Sequence, residues 1–457
     1  MEREWNFLMN KKRLYQYAAS FSAMLITTCS GLHFGWTSPY MPVLLRKDSP
    51  IPMTNEQSSW VAVIYLIGGP CGATITGLTL DVFGRKSLLI ASSLFFLISW
   101  LLLAFAHNLP GLLIARFIAG FSDGLIFATN PIYLAEIVEK QIRGCICSFI
   151  AIVYLIGILL INVMGNYLSI QQSSLVSATL PILFFMIFVW MPESPNYLLM
   201  KGDYDKAKKC LTLLRPVNEV NKELEDIAES IEEDASVKFP HLFTSKIYRK
   251  SLLVVIGLRG GQQLSGIVAF NFYAQTLFEE TSDVISPLTS VIILYSVQIL
   301  FSIASSLFVD KLGRRPLLIV SMLIVAIALL VEGAFFYLRD NSHVDVRHLG
   351  WLPIGGLFVF MASFSIGMQV IPLFIIGEIF PINIRAYGSA FSDVYYFLFA
   401  FIASKFFQVT KDEYGLYVPF FTFSVCSMLG LIVIVKFVPE TKNKTLHEIQ
   451  LELKNMK

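Results

Sequence analysis

Charge is scarce in this chain. Only 15% of its 457 residues are Asp, Glu, Lys or Arg, against roughly a quarter in an average soluble domain, and the shortfall excludes that class. The net charge is +2. Its basic residues sit in loops rather than on one patch, which excludes a nucleic-acid partner. The six cysteines make no disulfide framework. Cys29, Cys71 and Cys426 lie within apolar runs, Cys145 and Cys147 at the start of another and Cys210 in a charged stretch, so they read as small buried or lipid-facing residues. A Gly-x-x-x-x-Gly-Lys-Ser/Thr nucleotide loop is absent, as are a metal cluster and a catalytic triad. No cofactor, metal or enzymatic activity is expected.

What is abundant is apolar. Hydrophobic residues make up 55% of the chain and Phe occurs 38 times, with a mean hydropathy of +0.65. Such a composition would aggregate as a soluble surface but suits one that faces lipid. A membrane span needs roughly 20 apolar residues. Twelve such runs are found, near 14–38, 57–79, 87–107, 111–132, 144–166, 174–191, 249–278, 287–309, 316–338, 351–377, 386–408 and 416–437. They are long and nearly continuous, which predicts helices rather than the alternating strands of a barrel. The first follows Lys11-Lys12-Arg13, is too long for a signal-peptide core and lacks an obvious cleavage site.

The predicted organisation is an N-terminal six-helix bundle (1–191), a hydrophilic helical linker (192–248), a second six-helix bundle (249–439) and a short tail (440–457). In the linker, Leu224, Ile227, Ala228 and Ile231 share one helical face with carboxylates opposite. Arg85, Lys86, Lys140, Arg143, Lys311, Arg314, Arg315 and Arg385 fall in alternate loops, on the side of both Lys-rich termini. By the positive-inside rule both ends are expected to be cytoplasmic.

Three signatures occur twice, in the same order and about half the chain apart. Asp81-Val-Phe-Gly84-Arg85-Lys86 matches Asp310-Lys-Leu-Gly313-Arg314-Arg315. Glu136 precedes Arg143 as Glu378 precedes Arg385, and Pro192-Glu193-Ser194 is echoed by Pro439-Glu440-Thr441. This is a duplication. Repeated polar loops in so apolar a chain imply two similar helix bundles facing each other, the architecture of a transporter.

With these motifs the chain resembles the sugar porters of the major facilitator superfamily, the glucose-transporter-like branch, and within it the insect trehalose and hexose facilitators. Arg116-x-x-x-Gly120, Pro192-Glu-Ser-Pro195, Gln262-Gln-Leu-Ser-Gly266, Gly377-Glu-Ile-Phe-Pro381 and Pro439-Glu-Thr-Lys442 add to the repeated loops. The resemblance covers essentially the whole chain. It implies an all-α membrane protein with the major facilitator fold, twelve spans in two six-helix bundles, carrying a sugar by alternating access as a monomer in the plasma membrane. The expected partners are a small solute and the lipid bilayer.

A sugar needs dense hydrogen bonding from amides and hydroxyls plus apolar faces for its ring. Gln262, Gln263 and Ser265 sit about halfway along a span, followed by Asn271 and Tyr273, and adjacent glutamines so deep in membrane need a wet cavity or a partner helix. The resemblance makes Gln262 and Gln263 sugar-contacting amides and Gln298, one helix later, another. It also implies a cytoplasmic gating network of Asp81, Arg85, Arg116, Glu136, Arg143, Glu193, Asp310, Arg314, Arg315, Glu378, Arg385 and Glu440, formed when that side closes and pulled apart when it opens.

Departures from the sugar-porter pattern bear on specificity. Ala151 replaces a glutamine, Val268 an asparagine and Leu373 stands in an element that loses its tryptophan, while an Asn-Trp pair reads Tyr396-Phe397. Asn271 lies one turn from the missing asparagine. The pocket is expected to be less polar, with an extra phenol at Tyr396. In helix 1, where proton-coupled relatives carry an Asp, the chain reads Leu32-His33-Phe34-Gly35-Trp36 with no carboxylate, so the resemblance implies facilitated diffusion over proton symport. Intramembrane charges are expected to matter: Asp123 bonding a neighbouring helix, Glu332 reaching the outer interface, Lys405 snorkelling, and Arg259 lining a vestibule or pairing with the charge network. Breakers at Gly260-Gly261, Gly266, Gly367, Pro372, Pro39 and Pro42 surround the expected site. The alternative readings are a non-sugar carrier of the same superfamily, such as an organic-ion transporter, a proton-coupled sugar symporter, and a non-transporting sensor.

Overall fold

Hydrocarbon leaves the backbone only itself to bond to, so apolar runs of this length close into helices. In the computed structural model, which describes residues 2–49, 51–215, 217–234, 244–281, 286–341, 349–380, 382–442, 444 and 446–455, they do. The first half is built from α1 (Glu2–Gly35), α2 (Thr37–Leu44), α3 (Asn55–Phe83), α4 (Arg85–Ala104), α5 (Leu109–Ile137), α6 (Lys140–Tyr167) and α7 (Ile170–Phe188). Three short helices follow, α8 (Pro195–Met200), α9 (Tyr204–Leu214) and α10 (Val217–Asp234). The second half comprises α11 (Lys246–Leu264), α12 (Ile267–Phe272), α13 (Ala274–Thr281), α14 (Pro287–Leu312), α15 (Arg314–Asn341), α16 (Leu352–Ile366), α17 (Ile371–Ile379), α18 (Ile382–Tyr414) and α19 (Tyr417–Phe437), with α20 (Leu446–Asn455) after it. Among the described residues, ten helices are long and apolar enough to cross a membrane. The other two expected spans are α1 and the interrupted α11–α12. Together they make two bundles of six.

Small residues set the packing inside each half. A Cβ on Gly120 of α5 would lie 1.9 Å from the Tyr65 carbonyl of α3, and one on Gly72 of α3 would lie 2.0 Å from the Phe121 carbonyl of α5. The two backbones therefore touch, the usual route to tight association where lipid is as apolar as the side chains. In the second half α15 packs on α16 and α19, and α11 on α18 and α19. The halves meet along α3 with α18 and α6 with α14.

The repeated loops are built alike at one end of the molecule. Gly84 (φ 89°) and Gly313 (φ 91°) make the turns, in a region closed to most side chains. Each turn opens the next helix, and a glutamate from the Pro-Glu-Ser/Thr element caps it. Glu193 accepts from the backbone N–H groups of Arg85 (3.2 Å) and Lys86 (3.1 Å). Glu440 accepts from those of Arg314 (3.0 Å) and Arg315 (3.1 Å). A carboxylate at a helix N-terminus meets unpaired donors and the positive end of the dipole. The Arg85 side chain bonds Asp81 (3.0 Å) and both oxygens of Glu136 (3.0 and 3.1 Å), and Arg314 bonds Glu378 (3.2 Å). Arg315 anchors on the Val435 carbonyl, and Arg385 stands half-buried near the start of α18. The side chains of Arg143 and Asp310 lie outside the described residues.

Each of these named bonds ties helix ends within one half. One expectation changes here: Arg116 is not among them. It lies 20 residues before Glu136 on α5, about 30 Å along the helix, and is fully buried. There it donates to the His33 carbonyl, with its guanidinium carbon 4.7 Å from the Tyr65 ring centre.

The linker follows its pattern: Leu224, Ile227, Ala228 and Ile231 are half-buried while Glu225, Asp226 and Glu229 are exposed. Gln16 of α1 bonds the Leu214 carbonyl and Glu139 (2.8 Å), and Arg215 bonds Glu223 (2.8 Å) and the Ile137 carbonyl (2.8 Å). α9 and α10 are thereby held under the first half.

Two predictions follow from this packing. Gly120→Ala forces α3 and α5 apart and lowers stability by on the order of 2 kcal/mol or more, whereas Gly377→Ala, inside α17 with nothing within 4 Å of the added carbon, raises it by about 0.5–1 kcal/mol; thermal unfolding of the purified protein compares them. The glutamate caps differ in proton affinity. Burial raises Glu193 above its ordinary value, outweighing the N–H groups of Ser194 and Lys86. At Glu440 burial is outweighed by the backbone N–H groups of Lys442, Arg314, Arg315 and Thr441, which hold it below. Glu440 therefore contributes stability above its unfolded value that is lost only as pH falls through the lower folded one, while Glu193 binds its proton more tightly folded than unfolded. As pH falls from about 8 to about 4, the difference in unfolding midpoint between wild type and Glu193→Gln should fade first, and that for Glu440→Gln last. The reverse order would contradict the assignment.

Candidate functional site

Three spans are broken near the interface of the halves. α1 stops at Gly35 and restarts as α2 after Trp36. The seventh span breaks at Ser265–Gly266, where Gly266 adopts φ 86° and turns into α12. The tenth is interrupted from Gly367 to Val370 between α16 and α17. Gly260 and Gly261, expected as breakers, lie inside the continuous α11. Discontinuous helices at mid-depth free backbone groups where a cavity can use them.

A cavity of about 70 Å³ opens between the halves, space for several waters. The first half supplies Thr27, Ser30 and Phe34, then Phe127, Asn130 and Tyr154; the second supplies Arg259, Gln262, Gln263, Asn271, Gln369 and Tyr396. Aromatic pairs cross between the bundles around it. Phe34 lies 4.9 Å from Phe272 and Phe127 lies 5.4 Å from Tyr396, centre to centre. Ala151, Val268 and Leu373 are on its wall too, so the positions that lost polar groups do face the chamber. Phe397 instead packs on Gly69.

Several polar atoms here are buried without a protein partner: Gln263 Oε1, Asn271 Oδ1, Asn130 Oδ1 and the Tyr154 hydroxyl. A buried acceptor left unmade costs about 1–3 kcal/mol. Three of these atoms are amide oxygens that accept only, and the Tyr154 hydroxyl can both donate and accept. Gln262 is more committed. Its carbonyl accepts from Arg259 (3.0 Å) and its amide donates to the Met368 carbonyl (2.6 Å), leaving one N–H and one lone pair for a solute. Asn130 spends its amide on Thr27 (2.7 Å) and the Ala23 carbonyl (3.2 Å).

Of the expected solute contacts, Gln262, Gln263, Asn271 and Tyr396 meet at the chamber. Gln298 does not border it; it lies behind Gln369, to which it donates at 3.4 Å. Tyr273 does not border it either and stacks on Phe407, 5.7 Å between centres. Asn130 and Tyr154 were missed. An Asn beside Pro131 within an apolar run, and a lone Tyr one turn from Ala151, were the available signals.

The intramembrane charges also settle. Asp123 takes hydroxyls from Ser30 and Tyr65, as expected of a bond to neighbouring helices. Arg259 pairs with Asp393 of α18 (3.3 Å) rather than with the charge network. Glu332 is buried against Gly356 instead of reaching an interface. Lys405 does not snorkel: it donates to Ser59 across the halves (2.7 Å) and sits 4.7 Å from the Trp60 ring centre. His33 lies off the chamber, fully buried and stacked on Trp100 (3.7 Å) and Phe96 (5.0 Å).

Comparison with known proteins fits this geometry. The sequence profile of the family described as "Sugar (and other) transporter" matches residues 9–453. A facilitated trehalose transporter Tret1 of Culex quinquefasciatus is 32% identical over 443 residues, covering 96% of this chain and 86% of that one. The Tret1 of Bombyx mori is 31% identical over 442 residues, with the same coverage. Among solved structures, the major facilitator proton:xylose symporter XylE bound to 6-bromo-6-deoxy-D-glucose superposes with a TM-score of 0.83 at 22% identity, over 97% of this chain and all of that one. A partially occluded inward-open XylE from E. coli gives 0.80 at 22%, over 94% and 100%. The fold is therefore that of the major facilitator superfamily, and the chain belongs to the sugar (and other) transporter family of membrane carriers.

Proposed function

We propose that this protein carries an uncharged sugar, a hexose or a disaccharide such as trehalose, down its gradient by alternating access. The observation that carries this reading is the set of unpartnered acceptors on Asn130, Gln263 and Asn271, drawn from both halves and interleaved with Phe34, Phe127 and Tyr396. Sugar hydroxyls are the donors such acceptors lack, and the rings cover the apolar faces of a pyranose. The trehalose assignment draws on the insect relatives alone.

Two further features support uniport of a neutral solute. Among the described residues Arg259 is the one charged residue on the wall, and Asp393 compensates it, which argues against an organic ion. Among the described residues none lining the chamber is Asp or Glu, so no carboxylate meets the solute to exchange a proton with it. The excess of basic residues at the Gly84 and Gly313 turns supports placing that end, with both termini, on the cytoplasmic side of a plasma membrane. The bundles rock about the chamber, with Lys405 on Ser59 and the Gln275 amide N–H on Ser38 (3.4 Å) joining them at the opposite end.

Gln263→Ala and Asn271→Ala should each lower uptake of labelled glucose and trehalose roughly tenfold, chiefly through KM, with cell-surface protein unchanged. Gln298→Ala should cost less than either, because it touches the solute only through Gln369. Uptake indifferent to both Gln263 and Asn271 would remove the site.

A further inference from the structure

Behind the chamber wall the second half buries a small polar knot that a passive sugar path does not explain. Arg259 donates through Nε to Ser392 (2.8 Å), through Nη1 to Gln262 (3.0 Å) and through Nη2 to Asp393 (3.3 Å). The Tyr396 ring centre lies 5.2 Å from its guanidinium carbon. The side chains of Arg259 and Asp393 are 2% and 3% exposed. Gln262 carries the chain of contacts on to the Met368 carbonyl (2.6 Å), inside the break between α16 and α17.

The geometry shows a division of labour. Asp393 meets Arg259 through a single contact, not the two-pronged fork of a carboxylate clamp. The rest of the guanidinium is spent on Ser392 and Gln262. A buried guanidinium with no counter-charge costs several kcal/mol and would draw an anion into the chamber. The other buried acid of this region, Asp123, is held by the hydroxyls of Ser30 and Tyr65 on the first half and makes no bond to Arg259.

We propose that Asp393 determines the charge specificity of the chamber: by cancelling Arg259 it admits an uncharged sugar and refuses the corresponding sugar acid. Arg259 is a positioning residue that fixes the direction of the Gln262 amide. This rests on the uncharged-sugar reading above. It also explains why an arginine stands on the wall of a neutral-solute site: the guanidinium serves Gln262, and the carboxylate hides its charge.

The test compares glucose with glucuronate, which differ by one carboxylate, in vesicles holding the full-length protein. Wild type should take up glucose, and a large excess of glucuronate should not compete. Asp393→Asn should raise the glucuronate-to-glucose uptake ratio about tenfold, equivalent to about 1.4 kcal/mol of changed preference. The double variant Arg259→Gln, Asp393→Asn, neutral again, should return the ratio to the wild-type value while raising KM for glucose more than it lowers the maximal rate, because Gln262 has lost its anchor. A ratio unchanged in Asp393→Asn would overturn the assignment. Glucuronate competing as well as glucose in wild type would overturn it without any variant, which covers the case in which Asp393→Asn fails to reach the membrane. Absence of neutral-sugar uptake in wild type would contradict the proposed function itself, whereas intact wild-type uptake with an unchanged ratio contradicts the charge assignment alone.

Discussion

An amide buried among membrane helices has to find a partner, because neither lipid nor a packed core offers one. Most polar groups in this molecule obey by bonding locally: serines and threonines reach back to carbonyls one turn away, and Asp123 collects two hydroxyls. Unpartnered atoms occur away from it too, on His33, Asn162 and Glu332 for example, but at one cavity between the halves amides of both bundles converge. There Gln263, Asn271 and Asn130 keep bare carbonyl oxygens, and three spans are broken nearby.

The remaining architecture keeps that chamber shared between two rigid bodies. Close glycine contacts lock α3 to α5. At the turn end, Glu193 and Glu440 cap corresponding helices, and Arg85 and Arg314 bind corresponding carboxylates. These bonds tie helix ends within each bundle. Between the halves, aromatic pairs such as Phe127 with Tyr396 lie alongside the hydrogen bonds of Lys405 to Ser59 and of the Gln275 backbone N–H to Ser38.

Much of this was legible in the chain. Twelve apolar runs, a duplicated Gly-Arg turn and paired Pro-Glu elements set the fold, and four of six expected solute contacts reach the chamber. What escaped was azimuth and depth. Sequence spacing does not say which side of a helix borders the cavity: Gln298 stands one residue behind the wall, on Gln369, and Tyr273 stacks on Phe407. Arg116 follows a turn motif in the sequence, yet the direction of α5 carries it to the far end from Glu136. Gly260 and Gly261 look like a hinge, but helical backbone continues through them because the turn is taken at Gly266, whose positive φ needs the missing Cβ. Asp393 stood unnoticed within an apolar run; only the fold shows that α11 brings Arg259 against it.

The central claim is that the chamber passes a neutral sugar and nothing drives it but concentration. Purified protein in liposomes, supplied with labelled glucose or trehalose with and without an imposed pH gradient, tests this most directly. The account predicts that internal sugar rises to the external concentration and stops there, at a rate indifferent to the pH gradient. Accumulation above the external concentration when the gradient is imposed, or no sugar entry at all, would contradict it.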